Sequence, residues 1–157
     1  MAAASAGLLL HQERDGERKV LLVHPGGPAW AKRDAGAWSI PKGEYEAAED
    51  PLEAARREFA EELGSAPPDG AARELGEIRQ KSGKRVKAWA IVGDLDTSNI
   101  TSNTCQVQWP PRSGRMIDVP EVDRAEWFSL KDARERINPA QVALLERLEA
   151  LLAGGTE

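Results

Sequence analysis

The sequence predicts an α/β fold in one domain. Three observations carry that expectation: two pairs of apolar runs joined by tight-turn signals, an amphipathic segment bracketed by a helix start and a left-handed stop, and a closing segment with a regular apolar stripe. Residues 6–12 and 19–24 read as strands joined near Asp15-Gly16, a dipeptide that accepts the positive φ values a two-residue hairpin requires. Residues 74–81 and 85–95 read as a second hairpin that turns at Ser82-Gly83. Asp50-Pro51-Leu52-Glu53 reads as a helix start: Asp50 caps, Pro51 is tolerated at the first helical position, and Glu53 stands where a capping box places its acid. That helix runs to about Leu63, and Gly64 supplies its stop. Ser129 caps a short helix to Ile137. Asn138-Pro139 opens a last helix to about Ala153, whose Val142, Leu145, Leu148 and Leu152 form a stripe for the core or, failing that, for a dimer contact.

The chain of 157 residues is long enough for one domain (1–157) with a real core. Its net charge of −5 argues against broad nonspecific binding of nucleic acid. No apolar run is long enough to span a membrane, and the first residues lack a basic start and a sustained apolar stretch, so they make a poor signal peptide. Cys105 is alone, which leaves no partner for an internal disulfide and fits a reducing, cytoplasmic setting. His11 and His24 fall within predicted strands at no metal-ligand spacing, so structural roles are expected.

The stretch from Gly43 to Gly64, GEYEAAEDPLEAARREFAEELG, carries the chemistry. At ~100° per residue, Glu58, Glu61 and Glu62 fall within about a 100° arc of the helix. Leu52, Ala55, Phe59 and Leu63 fall on another face, which would pack on the core. Like charges at i,i+4 cost a few tenths of a kcal/mol, roughly, when exposed. Arg57 stands one residue off the acidic face, so nothing basic on the helix is placed to cancel it well. A hard divalent cation would relieve the repulsion, and magnesium in turn favours phosphate oxygens.

This stretch resembles the Nudix box, G-x5-E-x7-R-E-U-x-E-E-x-G-U with U apolar. Every fixed position is filled except the last, where Ser65 replaces an apolar residue and leaves local packing, not chemistry, in question. The preceding Trp38-Ser39-Ile40-Pro41-Lys42-Gly43 resembles the strand and turn that lead into the box in members acting on dinucleoside polyphosphates. The run from Pro120 to Phe128 resembles the late strand of the family. The resemblance implies an α/β/α sandwich with a mixed β-sheet between helices. It implies that the Gly43 carbonyl, Glu58, Glu61 and Glu62 contact magnesium, with manganese as a substitute. Arg57 would orient the glutamates with Glu49 as its partner, and the general base would be a box glutamate or Glu121.

The implied reaction is hydrolysis of a nucleoside diphosphate linked to another moiety. A dinucleoside polyphosphate such as diadenosine tetraphosphate is the favoured substrate. Nucleoside triphosphates, nucleotide sugars, ADP-ribose and RNA 5′ ends stand as alternatives, as does a nucleotide-binding module without catalysis. The partner expected is therefore a small nucleotide, bound by a monomer or homodimer.

Several residues outside the box are candidates for substrate binding. Lys42 lies in the Pro-Lys-Gly turn. Lys87 and Trp89 share a side of their strand by alternation, beneath a hairpin tip that also carries Arg79, Lys81, Lys84 and Arg85. Residues 106–109 read as a short strand, followed by a Pro-Pro turn bearing Arg112 and Arg115, guanidiniums suited to phosphate or to an ordinary surface loop. Residues 97–104 read as loop. The Gly- and Pro-rich segment from Pro25 to Ala37 also reads as loop, with Trp30 a better fit to an anchor than to a stacking platform.

Overall fold

The computed structural model describes residues 4–154, so the outermost ends of the expected domain, 1–3 and 155–157, lie outside the described residues. The apolar runs Leu8-Leu9-Leu10 and Val20-Leu21-Leu22-Val23 are buried on both faces, and that makes their strands the centre of a sheet. These are β1 (Ala4–Arg14) and β2 (Glu17–Pro25), joined by a turn in which Asp15 and Gly16 both take positive φ. β3 (Lys42–Glu44) pairs with the start of β1, where Ala6 stands opposite Gly43. β4 (Arg73–Arg79) and β5 (Arg85–Val92) form the second hairpin.

The main sheet is ordered β4-β5-β1-β2-β8, with β8 spanning Val122–Ser129, and β1 runs parallel to β5 while the remaining neighbours are antiparallel. β6 (Thr104–Gln108) and β7 (Met116–Pro120) form a separate two-stranded ribbon. The mixed sheet and its flanking helices match the expected fold class. The strand at Met116–Pro120 lies outside the expected elements, because its alternation of Ile117, Asp118 and Val119 is too short to stand out and gains its meaning only when Val107 and Cys105 are set opposite Ile117 and Val119.

Helices cover both faces. α1 (Pro51–Leu63) lays Ala54, Ala55, Phe59 and Leu63 on the side formed by Ala6, Leu8, Leu10 and Leu21. Asp50 accepts from the Glu53 amide at 3.0 Å, and Gly64 closes the helix at φ 81°. α2 (Leu130–Arg136) and α3 (Val142–Ala153) cover the opposite side, where Leu144, Leu145 and Leu148 meet Leu9, Leu22, Val86 and Trp38. The expected last helix begins later than its sequence suggests: Pro139–Gln141 form a 3-10 turn capped by Asn138, and the α-helix follows. Among the described residues no helix is long and apolar enough to cross a membrane.

His11 illustrates how this core constrains a polar side chain. Burial, reinforced by Arg18 and Arg73, lowers its pKa from 6.5 to about 4. The unfolded chain therefore takes up a proton between pH 6.5 and about 4 that the fold refuses, so His11 supports stability above pH 6.5 and withdraws that support as the pH falls. Urea titrations at pH 7.5 and pH 5 should show an acid loss in the wild-type protein that His11→Asn reduces by at most about 2 kcal/mol. Equal losses in the two proteins would assign the acid sensitivity elsewhere.

Candidate active site

Three segments meet at one edge of the sheet. β3 brings Lys42, Gly43 and Glu44; α1 brings Glu58, Glu61 and Glu62; and the link between β7 and β8 brings Glu121. Together with Ser5 and Lys84 they line a cleft of about 450 Å³. Glu58 and Glu62 are buried although they are carboxylates, because α1 must turn Phe59 and Leu63 into the core and neighbouring positions follow inward.

Glu58 packs directly over Gly43. A Cβ on that glycine would stand 2.0 Å from the Glu58 carboxyl carbon, so any larger residue would push the Glu58 carboxylate out of this position. Arg57 forks onto Glu49 through Nε at 3.0 Å and Nη2 at 3.2 Å. Its Nη1 donates to Glu58 at 2.8 Å and to Glu61 at 3.4 Å. Arg57, expected to cancel the acidic face poorly from one residue off it, therefore touches two of its carboxylates: a helical wheel treats side chains as short spokes, whereas the arginine stem crosses to the adjacent stripe.

Glu121 is held from both of its ends. Asn103 donates through Nδ2 to its carboxylate at 2.7 Å, and the Asn103 carbonyl accepts from the Glu121 amide at 2.9 Å. The Asn103 amide in turn donates to the Glu61 carbonyl at 2.9 Å, so this one residue ties α1 to the Glu121 link. Nothing in the sequence marks Asn103, which sits in a polar stretch read only as loop.

The electrostatics follow from crowding. Burial, then the charges of Glu121 and Glu58, push the Glu62 carboxyl up to about 8. Burial and the neighbouring Glu61 raise Glu58, while the Arg57 hydrogen bond opposes them. Burial, then Lys84, lower the Lys42 ammonium, and Lys84 holds Glu44 below the ordinary carboxylate range through a 2.8 Å contact.

The cleft has the chemistry of a site for a hard cation and a phosphate. Its donors are carboxylate and carbonyl oxygens, and the buried Ser5 hydroxyl that lines it has no hydrogen-bond partner. Among the described residues no three acidic, His or Cys side chains already converge as a metal cage. Magnesium does not need one, since it keeps several waters and binds through few carboxylates.

A second cavity of about 210 Å³ adjoins this cleft and shares Lys42, Glu62 and Glu121 with it. Its walls combine Val23, Ile40 and Trp30 with the amides of Gln80, Asn138 and Gln141. Gln141 is fully buried and joins Ser39, Ile40 and Gln80 in one hydrogen-bond network. None of these three amides stood out in the sequence, because they come from elements more than 50 residues apart or from a turn read as helix.

The remaining candidates lie elsewhere. Lys84, rather than Lys87, lines the acidic cleft. Lys87 lies opposite Ala6 and Glu77 in the sheet, and Trp89 packs partly buried with Phe59 and the rest of that core group. Arg112 and Arg115 are exposed at the tip of the β6–β7 ribbon and line none of these cavities.

Two outcomes test this geometry. In the metal-free protein Glu62 loses stability for the fold as the pH rises from 4.5 to about 8, since the native state holds a proton that the unfolded chain releases. In EDTA, Glu62→Gln should therefore gain on the order of 3 kcal/mol over wild type between pH 5 and pH 9 by urea titration; a pH-independent difference would contradict the buried acid. Gly43→Ala should keep a melting temperature within about 5 °C of wild type, because the flexible Glu58 side chain can swing away, while turnover falls roughly tenfold or more. Unchanged turnover would show that the close approach is dispensable.

Comparison with known proteins agrees with this architecture. The family model described as NUDIX domain matches residues 1–148. No curated protein matches the chain. Among solved structures, the binary complex of C. elegans Ap4A hydrolase superposes with a TM-score of 0.69 at 24% identity, covering 98% of this chain and 99% of that one. The Nudix domain of Shewanella oneidensis NrtR complexed with ADP ribose gives 0.66 at 17% identity over 97% and 89% of the two chains. The MutT protein of Methanosarcina mazei Go1 gives 0.62 at 21% identity over 96% and 95%. With the match running over nearly its whole length, the chain belongs to the Nudix family.

Proposed function

We propose that this protein is a magnesium-dependent hydrolase of nucleoside diphosphates linked to another moiety, with dinucleoside polyphosphates such as diadenosine tetraphosphate as its preferred substrates. The observation that carries the reading is the junction of two cavities at Lys42, Glu62 and Glu121: an acidic cleft suited to a cation and phosphates opens into a smaller pocket with apolar walls and amide groups, suited to a nucleobase. The likeness to an Ap4A hydrolase over almost the full length of both chains supports the same substrate class.

In this mechanism the Gly43 carbonyl, Glu58, Glu61 and Glu62 would hold a magnesium ion, which would supply charge neutralisation for the phosphate oxygens and a place for the attacking water. The protein does the rest by positioning. Arg57 fixes the directions of Glu58 and Glu61, and Lys42 sets a cation between base and phosphates. Asn103 holds Glu121 where it, or one of the box glutamates, takes the proton from the attacking water. A new phosphorus–oxygen bond forms to water as the bridging one breaks, and a nucleotide leaves.

Product analysis across dinucleoside polyphosphates, nucleoside triphosphates, nucleotide sugars and ADP-ribose, with magnesium, tests the reading. Wild type should cleave the dinucleoside polyphosphates best, and Glu62→Gln should lose about 100-fold or more of that activity while remaining folded. Preference for ADP-ribose or triphosphates would move the substrate class; full activity in the variant would remove Glu62 from the mechanism.

A further inference from the structure

A third cavity lies beside the other two. It is a slot of about 220 Å³ between the Gly26–Trp30 loop and the inner face of the β6–β7 ribbon. Cys105, Val107 and Trp109 follow one another at every second position, so the strand presents all three to the same side, with Val119 across the ladder. The loop supplies the opposite wall through Pro25, Pro28, Ala29 and Trp30, and its two glycines close one end by packing on the ribbon: a Cβ on Gly26 would stand 2.1 Å from the Pro120 carbonyl, and one on Gly27, at φ 100°, would meet Val119 at 3.4 Å. Trp30 stands where this slot meets the nucleobase pocket, with the Arg33 guanidinium 5.5 Å from its ring centre.

Three features define what such a slot would take. Its only charged side chain is Glu121, so it does not select a phosphate. Its volume is below the roughly 300–1,000 Å³ of a site for a drug-sized molecule, so it suits a single ring system. Its aromatic walls are two indoles, Trp30 and Trp109. The slot is also continuous with the active site: among the described residues Glu121 is the one side chain that lines the slot, the nucleobase pocket and the acidic cleft alike. A ligand with a planar group at each end and phosphates between them matches three cavities that meet at one carboxylate.

From this arrangement we infer that the slot between the Gly26–Trp30 loop and the β6–β7 ribbon binds the second nucleobase of a dinucleoside polyphosphate, the walls at Trp109 and Val107 distinguishing such substrates from mononucleoside polyphosphates. The inference rests on the substrate class proposed above and adds the residues that select it.

Cys105, the only cysteine of the chain, gives a readout independent of turnover. In calcium, to slow cleavage, diadenosine tetraphosphate should protect Cys105 from iodoacetamide about fivefold or more, whereas saturating adenosine tetraphosphate, with the same phosphates and one base, should not. Trp109→Ala and Val107→Trp, one opening the slot and the other filling it, should each raise KM for diadenosine tetraphosphate about tenfold, the loss expected for one stacked base. The inhibition constant of adenosine tetraphosphate should change less than about twofold. Equal protection by the two ligands, protection by neither, or equal weakening of both by the variants would overturn the slot. Cleavage of diadenosine tetraphosphate with Cys105 unprotected would discard the slot and leave the hydrolase reading standing. Protection without cleavage once magnesium is restored would support the slot and discard the hydrolase reading.

Discussion

Crowding of carboxylates around Gly43 is the constraint on which the site depends. Glu58 lies against that glycine, Glu62 is buried nearby, and Glu121 adds a charge that both feel. A folded chain without a cation relieves this partly by protonation, as the raised Glu62 shows, and partly through Arg57 and Lys42. The arrangement survives because α1 is fixed by its other face. Phe59 and Leu63 are almost wholly buried, and each such side chain contributes about 1.5–3 kcal/mol, enough to hold the helix in a position its glutamates alone would not choose.

The same logic explains the supports. A buried charge is tolerable where its neighbours are already placed, and Asn103 and Arg57 do that placing from opposite sides. Asn103 joins the backbone of α1 to the carboxylate of the β7–β8 link, while Arg57 ties α1 to Glu49 ahead of its N-terminus. Arg57 thereby fixes three carboxylates at once, those of Glu49, Glu58 and Glu61, while Asn103 fixes that of Glu121.

A second network fixes the loop that carries Trp30. His24 is fully buried in β2, with Asp123 2.8 Å from Nδ1 and the Arg33 carbonyl 2.7 Å from Nε2. Trp38 donates to Asp34 at 2.7 Å, and Arg136 reaches the same carboxylate from α2. The His24 ring meets the Trp38 ring edge-on at 5.1 Å, and Trp38 meets Phe128 at 5.0 Å. A segment rich in Gly and Pro, with little core of its own, thereby becomes a defined wall between two cavities.

By itself the sequence determined the local elements: the capped helix from Pro51 to Leu63, its acidic and apolar stripes, the turns at Asp15-Gly16 and Ser82-Gly83, and the buried strands around Leu9 and Leu21. Those features depend on spacing of 2 or 3.6 residues and on turn chemistry, which neighbouring residues specify. Tertiary structure alone decided what lies across space. It paired Met116–Pro120 into a ribbon, and it turned Lys84 rather than Lys87 into the cleft. It also brought Gln80, Asn138 and Gln141 to one pocket wall and set Asn103 against Glu121. Such contacts join residues far apart in the chain, and their partners are fixed by sheet order and register, quantities no local pattern encodes.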